Sequence, residues 1–351
     1  MTLLAWEGAQ GISQAQMGLV FDSASGTLVR TTTVIPAPPE GVAWTSASSG
    51  LALANSKNVP AHTTGVVGNR VLHTPTGATV RQLVLFRLVD PAGVVHLSIE
   101  NTIAGRLQVK DGTGAVLALS TFFVDNNAWY YLQVGYTIAA GGAGSVTLTW
   151  TVSGIETTET YPAITTRGAG GTATVGAILW FLSGSGSTNG ENPCCASFYC
   201  LDTAGPAPWN SRLGAVRALM MLPNAVGFIN TMTPLAGVNV DNVKEAVHDG
   251  DTSYVESSTL GAEDSYNLQN PTTTATVIYA VRGEAIVKAI GGARNVKIGI
   301  RTAGASYHSP DIAADLTYSR KSFEWLINPD SVVAWTQADL IALESGLQVS
   351  T

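Results

Sequence analysis

The sequence predicts an all-β chain of two sandwich domains, and three observations carry that prediction. Apolar residues come in short alternating runs rather than long helical stripes. Glycine is enriched, at 37 of 351 residues, and only 12% of residues are charged. Turn signals recur at the spacing expected of a sandwich or barrel from about residue 65 to residue 202.

Taken in order, residues 79–90 (TVRQLVLFRLVD) are apolar on both faces apart from Arg81, Gln82 and Arg87, which predicts a central strand. The turn Asp90-Pro91-Ala92-Gly93 ends it. VVHLSIE then sets Val95, Leu97 and Ile99 inward and His96, Ser98 and Glu100 outward. GRLQVKDGTGAVLALS reads as a hairpin around Asp111 and Gly112. In residues 128–138, Tyr130, Leu132, Val134, Tyr136 and Ile138 share one face. In residues 145–154, Val146, Leu148, Trp150 and Val152 oppose Thr147, Thr149 and Thr151. The AAGGAG between them is a hairpin loop. VGAILWFL and ASFYCLD add two strands, separated by the polar loop 183–193.

AGPAPWN is a Pro-rich break, so the domains are expected at 1–203 and 213–351, with a linker at 204–212. The second domain opens with LGAVRALMMLP, and its clearest strand is TVIYAVRGEAIVK at 276–288. Further strands are expected at NVKIGIR and KSFEWLI. Thr336 reads as an N-cap with Asp339 in the first turn, so QADLIALES should be one short C-terminal helix closed by Gly346, followed by a strand LQVS. No internal repeat or heptad is present, which excludes a fibrous shaft.

Composition narrows the function. The mean hydropathy is +0.21, yet the longest apolar run is about that of VGAILWFL, too short for a membrane helix. Insertion into a membrane is not expected. The start MTLLAWEGAQGIS lacks the features of a secretory signal, so none is expected. The net charge is −7, from 18 basic and 25 acidic residues, without a Lys/Arg cluster, which argues against a nucleic-acid partner. Cys194, Cys195 and Cys200 make an odd set in one segment, so reduced thiols in a chain folded in cytoplasm are expected.

Catalytic motifs are missing from the sequence. His62, His73, His96, His248 and His308 never stand four apart, which excludes a zinc-protease helix. GxSxG, GxGxxG and the P-loop are absent, as is the Glu-x-Asp pair that sandwich glucanases place on one strand. A non-enzymatic chain without metal or cofactor is therefore expected.

The series HLSIEN, GRLQVKDGTGAVLALS, NNAWYYLQVGYTI, SVTLTWTVSG and ASFYCLD resembles the concanavalin A-like, laminin-G-type jelly roll. That resemblance implies a jelly-roll sandwich for the first domain, which is expected to be followed by a smaller β-sandwich with the short helix. Asp125, Asn126 and Asn127, in the loop before Trp129, stand where lectin-like sandwiches place glycan or calcium contacts, and the bland reading is a strand-entry turn. The acidic run Asp241, Glu245, Asp249 and Asp251 lacks EF-hand spacing and reads as solvated loop. A second resemblance runs through FYCLDTAGPAPWNSRLGAVRALMMLPN, DNVKEAVHDGDTSYVESS and AWTQADLIALESGLQV, and it is to structural proteins of tailed phages. It implies a virion component packed in symmetric copies with itself and other virion proteins, as head decoration, neck or tail. The alternative is a lectin-like adhesin that binds host surface glycans. Partly apolar outer faces in 276–288, and a β-branched arm from Leu28 to Pro39 able to pair with a neighbour's edge, point to a homo-oligomer.

Overall fold

The computed structural model describes residues 3–7, 23–24, 28–31, 43–46, 54–72, 83–102, 104–123, 128–181, 194–245, 248–271 and 273–350. The chain divides into two units, Met1–Ala218 and Leu219–Thr351. Residues 204–218, expected as a linker and the start of the second domain, fall in the first unit.

In the first unit the strands are β1 Leu3–Glu7, β2 Ser23–Ala24, β3 Leu28–Thr31, β4 Ala43–Ser46, β5 Ala54–His62, β6 Thr64–Leu72, β7 Leu83–Val89 and β8 Val95–Asn101. They continue as β9 Arg106–Asp111, β10 Val116–Phe123, β11 Trp129–Thr137, β12 Gly144–Val152, β13 Ile155–Ile164, β14 Val175–Phe181 and β15 Cys194–Asp202. Among the described residues they form two antiparallel sheets. One has eight strands in the order β13-β12-β11-β6-β15-β4-β3, with β1 also on β15, and the other has seven in the order β10-β9-β8-β7-β14-β5-β2. This is the lectin-like jelly-roll sandwich. β3 pairs with β4 over Leu28–Ser46 and Thr31–Ala43, so residues 28–31 of the early arm form the end strand of this sheet.

Period-2 alternation explains the core. Leu97 and Ile99 of β8, Leu107 and Val109 of β9, Tyr130, Leu132, Val134 and Tyr136 of β11, and Val146, Leu148 and Trp150 of β12 all lie in one buried cluster between the sheets. The β11–β12 hairpin turns through Gly141 and Gly142, whose φ values of 62° and 78° are left-handed conformations that glycine adopts without strain. Cys195 and Cys200 are buried thiols outside any disulfide, and burial pushes the Cys200 thiol up to about 12.

His62 lies at the rim of this core, with Nδ1 donating to Pro60 O at 2.7 Å and Nε2 accepting from the Tyr136 hydroxyl at 2.6 Å. Both bonds suit the neutral ring, and burial holds its pKa below the ordinary 6.5. Below 6.5 the unfolded state takes up the proton first, so stability falls with pH until the folded ring titrates as well. The expected slope is at most ~1.4 kcal/mol per pH unit. Denaturant unfolding of wild type and His62→Gln between neutral and mildly acidic pH should show the extra slope only in wild type, and parallel curves would refute it.

The second unit contains β16 Pro223–Asn230, β17 Thr233–Pro234, β18 Val255–Glu256, β19 Glu263–Leu268, β20 Val281–Val287, β21 Arg294–Thr302, β22 Ala305–His308, β23 Ile312–Ala314, β24 Ser319–Trp325, the helix α1 Gln337–Ile341 and β25 Glu344–Val349. A six-stranded sheet runs β16-β19-β25-β21-β22, with β23 on β21. The β20–β24 ribbon packs on it around Ile298, Ile300, Trp325, Trp335 and Leu343. Gly283 permits that approach, because a Cβ there would stand 2.6 Å from Ile298. The strand expected at 276–288 begins only at Val281, since β24 ends at Trp325 and leaves 276–280 a single bridge, Ile278 to Trp335.

Candidate functional site

On the outer face of the seven-stranded sheet, alternation puts polar residues where the core residues are not. Ser98 stands opposite Arg87 on β7 and Lys110 on β9, and Glu100 opposite Gln108. The two rows lie about two residues, ~7 Å, apart. Arg87 Nε donates to Ser98 Oγ at 3.4 Å, and Ser98 Oγ donates to Glu100 Oε1 at 2.9 Å. Glu100 Oε2 accepts from Gln108 Nε2 at 3.2 Å and pairs with Lys110 Nζ at 2.7 Å. Glu100 is 5% exposed and Gln108 7%, so this is an ordered network and not a loose surface fringe.

A loop walls one end of the strip. Gly168 N donates to His96 Nδ1 at 3.0 Å, so the ring hydrogen sits on Nε2, which faces Thr174 O at 3.0 Å. Asp90 ties the same loop down. Its carboxylate accepts from Thr172 N at 3.0 Å, Val94 N at 2.8 Å and Ala92 N at 2.9 Å, and these amides, Thr172 foremost, hold it below the ordinary carboxylate range. At the far edge Phe123 of β10 is 59% exposed, with Arg106 over its ring at 5.9 Å. Chemically, the strip offers a guanidinium, an ammonium, an amide and a hydroxyl on one rigid sheet face, a set suited to a hydroxyl-rich ligand.

The outer face of the eight-stranded sheet is covered by the chain itself. Tyr131, Gln133 and Tyr199 are 2%, 0% and 1% exposed there. Gln133 Oε1 accepts from the Tyr199 hydroxyl at 2.7 Å and from Gly214 N at 2.9 Å. Leu213 N donates to the Tyr199 hydroxyl at 3.2 Å, and Ala218 N to Ser197 Oγ at 3.3 Å. Arg212 reaches Thr149, Thr158 and Glu156. The stretch read as a linker therefore lies on the sheet because the sheet supplies partners for its amides.

Asp125, Asn126 and Asn127 lie outside the described residues, in the connection from β10 to β11. The strip residues Arg87, Ser98, Glu100, Gln108 and Lys110 were not among the expected contacts, although the outward placement of Ser98 and Glu100 was legible. Of the acidic run, Asp241 pairs with Lys244 at 2.5 Å and Asp251 with Lys288 at 2.6 Å, while Ser253 bonds Glu245 and Asp249 at 2.9 Å each. Among the described residues no group of His, Cys, Asp and Glu is placed to hold a metal.

No protein-family model and no curated protein matches the chain. Solved structures similar to it include an alginate lyase of the marine PL-14 type from Aplysia kurodai, at 11% identity and a TM-score of 0.43, covering 57% of this chain and 100% of that one. An endo-β-1,4-glucuronan lyase from Trichoderma reesei follows at 9% and 0.40, covering 56% and 94%. Lectin II from Ulex europaeus stands at 7% and 0.32, covering 56% and 92%. The two antiparallel sheets of the first unit define its class as a β-sandwich. The expectation of a non-enzymatic chain is corrected by the similar structures: two of these three are polysaccharide lyases, so a sandwich of this kind does not exclude catalysis.

Proposed function

We propose that the first unit binds a glycan across the outer face of its seven-stranded sheet, and that the chain acts as a lectin-like glycan-contact protein. The polar strip of Arg87, Ser98, Glu100, Gln108 and Lys110 carries this reading. An outer sheet face needs no such network for folding, since alternation alone supplies solvated polar residues. Where the chain rides on a virion, as its C-terminal segment suggests, the contact is with host surface glycans.

The test is an array of neutral and acidic oligosaccharides probed with the full chain, followed by calorimetry on each hit. Gln108→Ala and Lys110→Ala should each weaken binding about tenfold or more, the ~1.4 kcal/mol expected for losing one good polar contact. Thr147→Ala, on the other sheet, should leave it unchanged. A folded chain that binds nothing, or that binds equally well in both variants, sinks the proposal. Following the chain length of each bound sugar adds the second answer: shortening that Glu100→Gln abolishes makes the face catalytic as well as binding.

A further inference from the structure

Residues 206–218 cover the eight-stranded sheet with hydrogen bonds that run from donors of the segment to acceptors of the sheet. The covering segment offers backbone N–H groups, and these meet the acceptors of the face: Gln133 Oε1, the Tyr199 oxygen and Ser197 Oγ. Four groups of the same face that can donate are left over. Gln133 Nε2, Arg70 Nε, Trp129 Nε1 and Thr151 Oγ1 are buried and find no hydrogen-bond partner among the described residues.

These four belong to one patch. Arg70, Tyr131 and Thr151 stand in register across β6, β11 and β12, Gln133 lies in the next row between Gly68 and Thr149, and Trp129 lies in the row before. Side chains two residues apart on a strand point the same way, so all face outward from the core. Tyr131 and Tyr199 stack beside them with ring centroids 6.4 Å apart and planes 18° apart, an apolar platform between polar groups. Gly68 makes room for Tyr199, since a Cβ there would stand 2.1 Å from its ring.

We propose that residues 206–218 are a displaceable strap over a second saccharide-binding face, formed by Arg70, Trp129, Tyr131, Gln133, Thr151 and Tyr199. A sugar hydroxyl both donates and accepts, so a sugar ring can satisfy Gln133 Oε1 and Nε2 together, which a backbone N–H cannot. The strap is held for release: it makes no strand pairing, and its Arg212–Glu156 pair is exposed by 36% and 40%. Trp209, Leu213 and Ala218 are its buried anchors.

The experiment uses the full chain and the same oligosaccharide array, with a loosened variant, Arg212→Ala/Leu213→Gly, beside wild type. The loosened variant should bind at least one sugar about tenfold more tightly, and adding Gln133→Leu or Thr151→Val should cancel the gain. In wild type, that sugar at high concentration should speed trypsin cleavage after Arg212 and Arg217, which requires the strap to leave the sheet; this holds even where the loosened variant fails to fold. A folded loosened variant without gain, a gain that survives both face substitutions, or unchanged cleavage overturns the proposal. The strip on the other sheet is read separately by Gln108→Ala and Lys110→Ala. Binding lost there with no strap effect overturns this inference alone, and binding seen only on loosening overturns the strip alone.

Discussion

Asp264→Asn should cost the second unit about 2–4 kcal/mol, the loss expected when two buried donors lose their carboxylate acceptor. Asp264 on β19 stands in register with Leu347 of β25, on the face that packs the core, and is 1% exposed. Its Oδ1 accepts from Thr231 N and Met232 N, both at 2.8 Å. Its Oδ2 accepts from Asn239 Nδ2 at 2.5 Å and the Tyr266 hydroxyl at 2.7 Å. A carboxylate offers about four acceptor sites, and here all meet donors. Asparagine replaces one oxygen with an NH2 that points at two donors and leaves them orphaned. The same bonds show in Tyr266, whose hydroxyl is raised by burial first and by Asp264 second. Hydrogen exchange should lose protection at β19 and at 231–242 in the variant, while β11 and β12 exchange as in wild type. Unchanged protection at Thr231 and Met232 would show that the amide is tolerated.

The first unit was largely legible because its signal is local. A strand that alternates strictly declares both its secondary structure and its buried face, and Tyr130 to Ile138 and Val146 to Trp150 are core as their pattern requires. What alternation cannot declare is which strands meet. Ser98, Glu100, Gln108 and Lys110 come together because β8 pairs with β9, but Arg87 joins only through the β7 register. The strap was read as a linker for a related reason. Pro and Gly mark a break in regular structure, and the partners that fix this break, Gln133 and Tyr199, stand 81 and 14 residues from the groups they hold. At the C-terminus Thr336 caps the helix as expected and Asp339 completes a capping box with it, yet α1 stops at Ile341. From Glu344 the chain joins the sheet between β19 and β21, and Gly346, expected to end a helix, instead sits in the strand where a Cβ would meet Asp264 O at 1.9 Å. There, tertiary pairing overrides helix propensity.

Trp180→Ala should destabilise the first unit by about 3–5 kcal/mol, the range for emptying a buried aromatic site. Trp180 is 1% exposed on β14, a strand held between β5 and β7. Its ring lies 4.3 Å, centroid to centroid, from Phe198 of the facing sheet, so it fills the layer between the two. Alanine leaves a cavity flanked by strands paired on both sides, which limits collapse around it. Trp180→Phe keeps an aromatic contact with Phe198 and should lose markedly less. Both values follow from denaturant unfolding, and a loss under ~1 kcal/mol for alanine would mean the sheets close over the gap. The neighbouring residue separates stability from function. Leu179 is in register with Arg87 and shares its outward face, whereas Trp180 points inward. Trp180→Ala protein that is still folded should therefore bind glycan as tightly as wild type, with a smaller active fraction as denaturant is added. An equal loss of affinity in the fully folded variant would mean that the strip depends on the core beneath it, and that its residues are held by packing rather than by their own hydrogen bonds.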